Sequence, residues 1–241
     1  MKIIPLGIWG GYPQANSATS SFLIEEDGFH LLLDCGSGVL ASLQNYISIQ
    51  QLDAVIITHY HHDHIADVGA LHYAKLIQNQ LADQPKTIAI YAHDRDEQYH
   101  SLSFKEHIEA FNIIKTSQIG PFTIETTETN HPVYCLAIKL EAKGKKVVFT
   151  ADTGWKKSLI PFSQHADLLV SEANLYQEYE GKIPGHMSGR QAGALAEKAA
   201  AKQLILTHLP HFGDVQNILK EAEQTYTNQA AIAIVGQSIT I

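Results

Sequence analysis

The feature that most constrains this chain is a seven-residue run, Thr58-His59-Tyr60-His61-His62-Asp63-His64, which begins where the apolar stretch Leu52–Thr58 stops. An apolar run of that length reads as a buried strand. A rigid scaffold presents reactive groups on the loop at the end of such a strand. Alternate residues of an extended segment point the same way, so His59 and His61 face one point. Asp63 and His64 come after the chain turns and face a second point nearby, while His62 breaks the alternation and reads as a bystander. Imidazole nitrogens and carboxylates are ordinary ligands for zinc and similar divalent ions.

Further candidate ligands occupy equivalent places. His131 lies in a loop between two strands, Asp152 follows the strand Lys145–Thr150, and His208 follows Gln203–Thr207. Each alone reads as a turn residue. Together with the first cluster they make a ligand set.

The rest of the chain supplies a frame for them. Strands are expected over Ile3–Trp9, Ser20–Glu25, Phe29–Asp34, Lys86–Ala92, Phe122–Glu128, Tyr134–Glu141, Asp167–Glu172 and Ala230–Val235. Helices are expected over Val39–Ile49, Ile65–Asn79, Ser188–Lys202 and Asp214–Thr227. Ala142-Lys143-Gly144-Lys145 reads as a hairpin turn. Ser188-Gly189-Arg190-Gln191 fits a capping box, with Ser188 as N-cap. Each half runs strands first and helices after. The predicted class is α+β: two mixed sheets face to face with helices outside, an αββα sandwich, in one domain spanning residues 1–241.

Composition excludes several classes. No apolar run approaches the roughly 20 residues of a membrane span. A net charge of −8 and only two arginines, Arg95 and Arg190, argue against a general nucleic-acid coat. Two cysteines, Cys35 and Cys135, make no disulfide framework, and a reducing cytoplasm is the expected location.

The pattern His59-x-His61-x-Asp63-His64, followed by His131, Asp152 and His208, resembles the metallo-β-lactamase superfamily of dinuclear metal hydrolases, over essentially the whole chain. The resemblance implies that His59, His61 and His131 hold one ion, that Asp63, His64 and His208 hold the other, and that Asp152 bridges them. Zinc is the expected metal, with manganese also suited to such donors. An aspartate at the bridging place, where lactamases commonly carry Cys, is more similar to the ribonuclease Z and phosphodiesterase branch, or to the glyoxalase branch.

Pro184-Gly185-His186-Met187-Ser188 is similar to the His-x-Ser/Thr element of ribonuclease Z-like enzymes, whose His serves as an acid at the scissile phosphate. A helix N-terminus is an anion site, and His186, Ser188 and Arg190 are placed to hold a phosphate oxygen there; the alternative is a loop His beside a plain cap. Glu172 resembles a family glutamate, although Ser171 and Asn174 replace that element's His and Thr; it either orients a catalytic His or forms a structural ion pair. Asp34 resembles an aspartate that accepts a proton from a ligand imidazole, or else it caps a turn. Tyr60, Tyr91, His93 and Trp155 are candidates for the pocket wall or for the core.

One feature departs from ribonuclease Z. The true transfer-RNA-processing enzymes carry a long gripping arm between the third His and the bridging Asp. Here His131 and Asp152 are 21 positions apart, with room for only a hairpin. The expected activity is therefore hydrolysis of a small or nucleotide-like phosphodiester by a hydroxide held between two ions, with His186 as acid and Asp63 as proton acceptor. The alternatives are transfer-RNA 3′ processing, thioester or lactone hydrolysis, and a non-catalytic metal-binding role. The resemblance also implies a homodimer.

Overall fold

In the computed structural model, which describes every residue from Met1 to Ile241, the chain opens with an antiparallel meander: β1 (Lys2–Gly7), β2 (Ser21–Glu26) and β3 (Phe29–Leu33). The sheet then turns parallel. β4 (Ala54–Ile56), β5 (Ile88–Ala92) and β6 (Ile108–Asn112) follow β3 in order. The crossovers carry helix α1 (Val39–Leu43), the single turn α2 (His62–Ile65) and helix α3 (Val68–Leu81). Leu32, Val55, Ile57, Leu71, Ile88 and Ile90 belong to one buried core on this sheet. Strands β3 and β4 read as continuous hydrophobic runs because both faces of a parallel sheet are covered.

The chain divides into two compact units. The first comprises residues 1–7, 11–121 and 235–240; the second comprises residues 8–10, 122–234 and 241. The second unit repeats the plan. After the two-residue β7 (Gln118–Ile119), strands β8 (Phe122–Glu128), β9 (Leu136–Ala142) and β10 (Lys145–Phe149) are antiparallel. The β9–β10 turn has Lys143 and Gly144 at φ 50° and 73°, the double left-handed pair that matches strand twist in two-residue hairpins. Helix α4 (Leu159–Phe162) leads to β11 (Leu168–Glu172). Helix α5 (Gly189–Lys198) leads to β12 (Gln203–Thr207), and helix α6 (Val215–Glu223) to β13 (Gln229–Ile232). β10 through β13 run parallel. A terminal β14 (Ile239–Thr240) pairs with β1, which makes two mixed seven-stranded sheets.

All four expected helices differ at an end: α5 stops at Lys198, not Lys202, with Ala200 left-handed at φ 50°, and α6 stops at Glu223, not Thr227. α1 ends at Leu43, not Ile49, because Ser48 and Gln51 form a capping box that starts a separate 3-10 turn at Ile49. α3 begins at Val68, not Ile65, because the segment from His62 to Ile65 is a helical turn of its own. Asp67 stands at the N-cap position of α3 without capping it: its amide bonds Cys35 O and its carboxylate accepts from Leu40 N. The Ser188–Gln191 capping box is present as expected. No helix is long and apolar enough to cross a membrane.

Candidate metal centre and active site

In parallel sheets, ligands gather beyond the carboxyl ends of the strands. In the first unit, Asp34 follows β3 and the histidine run follows β4, its neighbour. Asp34 takes φ 59°, an unusual left-handed turn for a non-glycine residue that swings its carboxylate under the run. Oδ1 accepts from Thr58 N at 2.8 Å, and Oδ2 accepts from Thr58 Oγ1 at 3.0 Å and His64 Nδ1 at 2.8 Å. His59 Nδ1 lies 3.1 Å from Thr58 Oγ1. That hydroxyl already donates to Asp34, so it accepts from the ring. His59 and His64 therefore both carry their proton on Nδ1.

The opposite nitrogens are thereby held as acceptors. His59 Nε2 meets His61 Nδ1 at 3.1 Å, and His64 Nε2 meets Asp63 Oδ2 at 3.4 Å. These are the two points read from the sequence. The β3 loop presses against the run: Cys35 N bonds His64 O, and Thr19 Oγ1 bonds Asp63 O. A Cβ on Gly36 would stand 1.7 Å from Asp63 O, so only glycine fits there.

In the second unit, Asp152, Glu172 and His208 stand at or just past the ends of β10, β11 and β12, three adjacent parallel strands. Ala151 and His208 turn out of their strands at φ 51° and 54°. Asp152 Oδ2 lies 3.3 Å from His208 Nε2 and 3.9 Å from His131 Nε2, so one carboxylate oxygen faces two imidazole nitrogens. His131 Nδ1 donates to Gly185 O at 3.0 Å, which again leaves Nε2 as the acceptor. Gly185 has φ 86°, and a Cβ there would come within 2.6 Å of Pro132. Asn174 Nδ2 donates to His208 O at 2.8 Å.

Glu172 is fully buried and accepts four hydrogen bonds. Oε1 takes Thr153 N and His186 Nδ1 at 2.7 and 2.9 Å, and Oε2 takes Asn174 N and Met187 N, both at 3.2 Å. His186 stacks on His208 with centroids 5.4 Å apart and meets His131 edge-on at 5.3 Å. The glutamate thus contacts His186, the histidine of the Pro184–Ser188 element.

Ser188 and Arg190 are engaged differently from the phosphate contact expected of them. Both bond the Glu180 carboxylate, Arg190 Nε at 3.0 Å, with Nη2 and Ser188 Oγ closer still. A phosphate oxygen reaches either residue only by displacing Glu180, whose carboxyl these contacts hold below the usual range against the upward push of burial. Tyr60 is buried and donates to His93 O at 2.6 Å. Tyr91 stacks on Phe111, and Trp155 packs on the second unit's core. Sequence reasoning missed the role of Thr58, whose signal was the hydroxyl that opens the run, and Glu180, which no motif marked.

The ligand chemistry fits divalent ions. Acceptor nitrogens and carboxylate oxygens converge in each unit, and the far side of three rings is fixed by a hydrogen-bond acceptor, as metal-bound histidines require.

The chain belongs to the β-lactamase superfamily: the family's Beta-lactamase superfamily domain matches residues 30–209. It is similar to the probable metallo-hydrolase YhfI of Bacillus subtilis, 44% identical over 236 residues and 97% of each chain. The YhfI crystal structure superposes with a TM-score of 0.94, covering 99% of this chain and 98% of that one. A ribonuclease Z of Thermoplasma volcanium is 24% identical over 96% of this chain and 94% of its own. A diphosphatase of the PhnP family shares the fold, with a TM-score of 0.78 at 16% identity, over 100% of this chain and 97% of that chain. The α+β class with two mixed sheets and flanking helices is thus the metallo-β-lactamase fold, and the ribonuclease Z and PhnP-family relatives fit the branch read from the sequence.

Proposed function

We propose that the protein is a dinuclear metal hydrolase that cleaves a small or nucleotide-like phosphodiester. His59, His61, His131 and Asp152 supply one set of donors, and Asp63, His64, Asp152 and His208 supply the other. Asp152 is common to both, in keeping with its oxygen between two imidazoles. Zinc suits these donors best, and manganese is the second candidate. When bound, such ions supply positive charge that polarises a phosphoryl oxygen and lowers the pKa of water.

The chain's own residues do the rest. Asp34 and Thr58 hold His59 and His64 in the ligating tautomer. The Asp63 carboxylate takes the proton of the attacking water. His186, its Nδ1 held by Glu172, presents Nε2 as the acid that protonates the leaving oxygen. Glu172 is a positioning residue whose negative charge favours the protonated ring. The observation that carries the reading is this His186–Glu172 pair, set with its ring against two candidate ligand histidines.

Transfer-RNA processing is the second reading, favoured by the ribonuclease Z relatives. Against it stand the net charge of −8 and the β9–β10 hairpin, which fills the interval between His131 and Asp152. Cys35 and Cys135 are buried and not disulfide-linked, in keeping with a cytoplasmic enzyme.

Three substrates test the proposal: bis-p-nitrophenyl phosphate, a cyclic nucleotide and a precursor transfer RNA, each with and without chelator. Chelator-sensitive turnover of the first two, with the RNA left intact, is the expected result. Cleavage of the RNA establishes the second reading. Hydrolysis of a thioester or lactone with no phosphodiester turnover contradicts both.

A further inference from the structure

The loop that leaves His208 is more firmly built than a connection to α6 requires. Leu209 N donates to Ile8 O at 2.8 Å, Gly10 N to Leu209 O at 3.0 Å, and His211 Nε2 to Gly10 O at 3.1 Å. Trp9 stacks on His211, with ring centroids 5.2 Å apart. Further along the loop, Tyr176 donates its hydroxyl to Phe212 O at 2.7 Å. Gly213 takes φ 73°, and a Cβ there would stand 2.5 Å from that hydroxyl, so only glycine fits. The rings of Tyr176 and Tyr179 meet Phe212 with centroids at 5.5 and 5.7 Å, the second edge-to-face. Phe212 nevertheless remains 46% exposed. Half of this ring gains nothing from burial, yet its carbonyl is hydrogen-bonded and two tyrosines hold its inner side.

Its place in the second unit ties the ring to the chemistry. Phe212 lies four residues beyond His208, at most about 14 Å of chain from a proposed metal ligand. Tyr176 follows Leu175, whose N–H donates at 3.0 Å to the carbonyl of Met187, the residue after His186. Phe212 is thus anchored to the segments that carry a ligand histidine and the proposed acid. The three segments that bring rings here, 8–10, 176–179 and 208–213, hold Trp, Phe, two Tyr and two His but no Lys or Arg. They suit a flat uncharged ring and leave the phosphate's charge to the metal site. Every nucleobase has a π-face that stacks on such side chains.

We propose that Phe212 is a specificity-determining residue whose exposed face stacks on the nucleobase of the substrate. The substrate class is then nucleoside phosphodiesters, in preference to simple alkyl ones. The inference rests on the phosphodiester reading of the site.

Calorimetry on the metal-loaded full chain compares AMP with ribose 5-phosphate, which lacks the base. AMP is expected to bind about tenfold more tightly, the usual worth of one stacked base. Phe212→Ala and Phe212→Leu should remove that preference, whereas Phe212→Trp, which keeps a flat ring, should retain it. Circular dichroism checks that each variant is folded. Thymidine 5′-p-nitrophenyl phosphate and ethyl p-nitrophenyl phosphate share a leaving group, and their turnover should show the same Phe212-dependent preference in KM. Equal binding of AMP and ribose 5-phosphate overturns the proposal. So does a preference for AMP that Phe212→Ala or Phe212→Leu leaves intact. If neither ester is turned over while AMP keeps its Phe212-dependent advantage, the phosphodiester reading fails and the stacking site stands.

Discussion

At the scale of single residues, two carboxylates hold His186 and the segment that follows it. Glu172 orients its ring. Two residues further on, Glu180 bonds Ser188 and Arg190, which ties down the loop that carries His186. His186→Ala is expected to lower phosphodiester turnover at least about 100-fold, the usual worth of a general acid, while elemental analysis finds unchanged metal. Loss of metal in that variant would make His186 a ligand instead. Glu172→Gln keeps the shape but removes the charge that favours protonated His186. Its pH–rate profile should therefore lose activity at a lower pH on the alkaline side than the wild type does; an unmoved alkaline limb would make Glu172 merely structural. Glu180→Gln is expected to loosen the loop and raise KM more than it lowers kcat. If Glu180 instead blocks a phosphate site, the same variant lowers KM, and steady-state kinetics separate the two.

At the scale of elements, the one formally charged residue of α3, Lys75, is fully buried. Lys75 Nζ has one protein acceptor, Gln50 Oε1 at 2.8 Å. Burial first, then the neighbouring Lys86, against the pull of Asp53, push its pKa down from 10.5 to about 8. The unfolded chain therefore binds the proton more tightly between those two values. Stability rises with pH across that window, and the cost of the buried ammonium is fully present below pH 8. Lys75→Met is expected to stabilise the protein by about 2 kcal/mol at pH 7, a gain that fades as pH approaches 10.5. Thermal melts at pH 7 and pH 10 check it, and an equal Tm shift at both would contradict it.

The elements show what the sequence carried and what it did not. Parallel strands such as β11 and β12 were legible because burial on both faces writes unbroken apolar runs. The ligand positions were legible because metal chemistry restricts residue type at strand ends. β6 was not, since Ile108-Glu109-Ala110-Phe111-Asn112 lies beside β5 as the last strand of its sheet and carries too few apolar residues to stand out. Nor was the engagement of Ser188 and Arg190, because Glu180 meets them through tertiary structure that local spacing does not encode.

At the scale of the whole molecule, the proposed ligands are spread from His59 to His208 along the chain. Ions that bind the native chain and not the unfolded one stabilise it by mass action. Removing them with chelator is expected to lower the Tm by several degrees, and restoring zinc or manganese should return it. Metal analysis of freshly purified protein tests the central claim most directly. The account predicts about two divalent transition ions per chain, falling when Asp152 is replaced by Ala. Protein that carries none, or whose metal content is indifferent to Asp152, would contradict it.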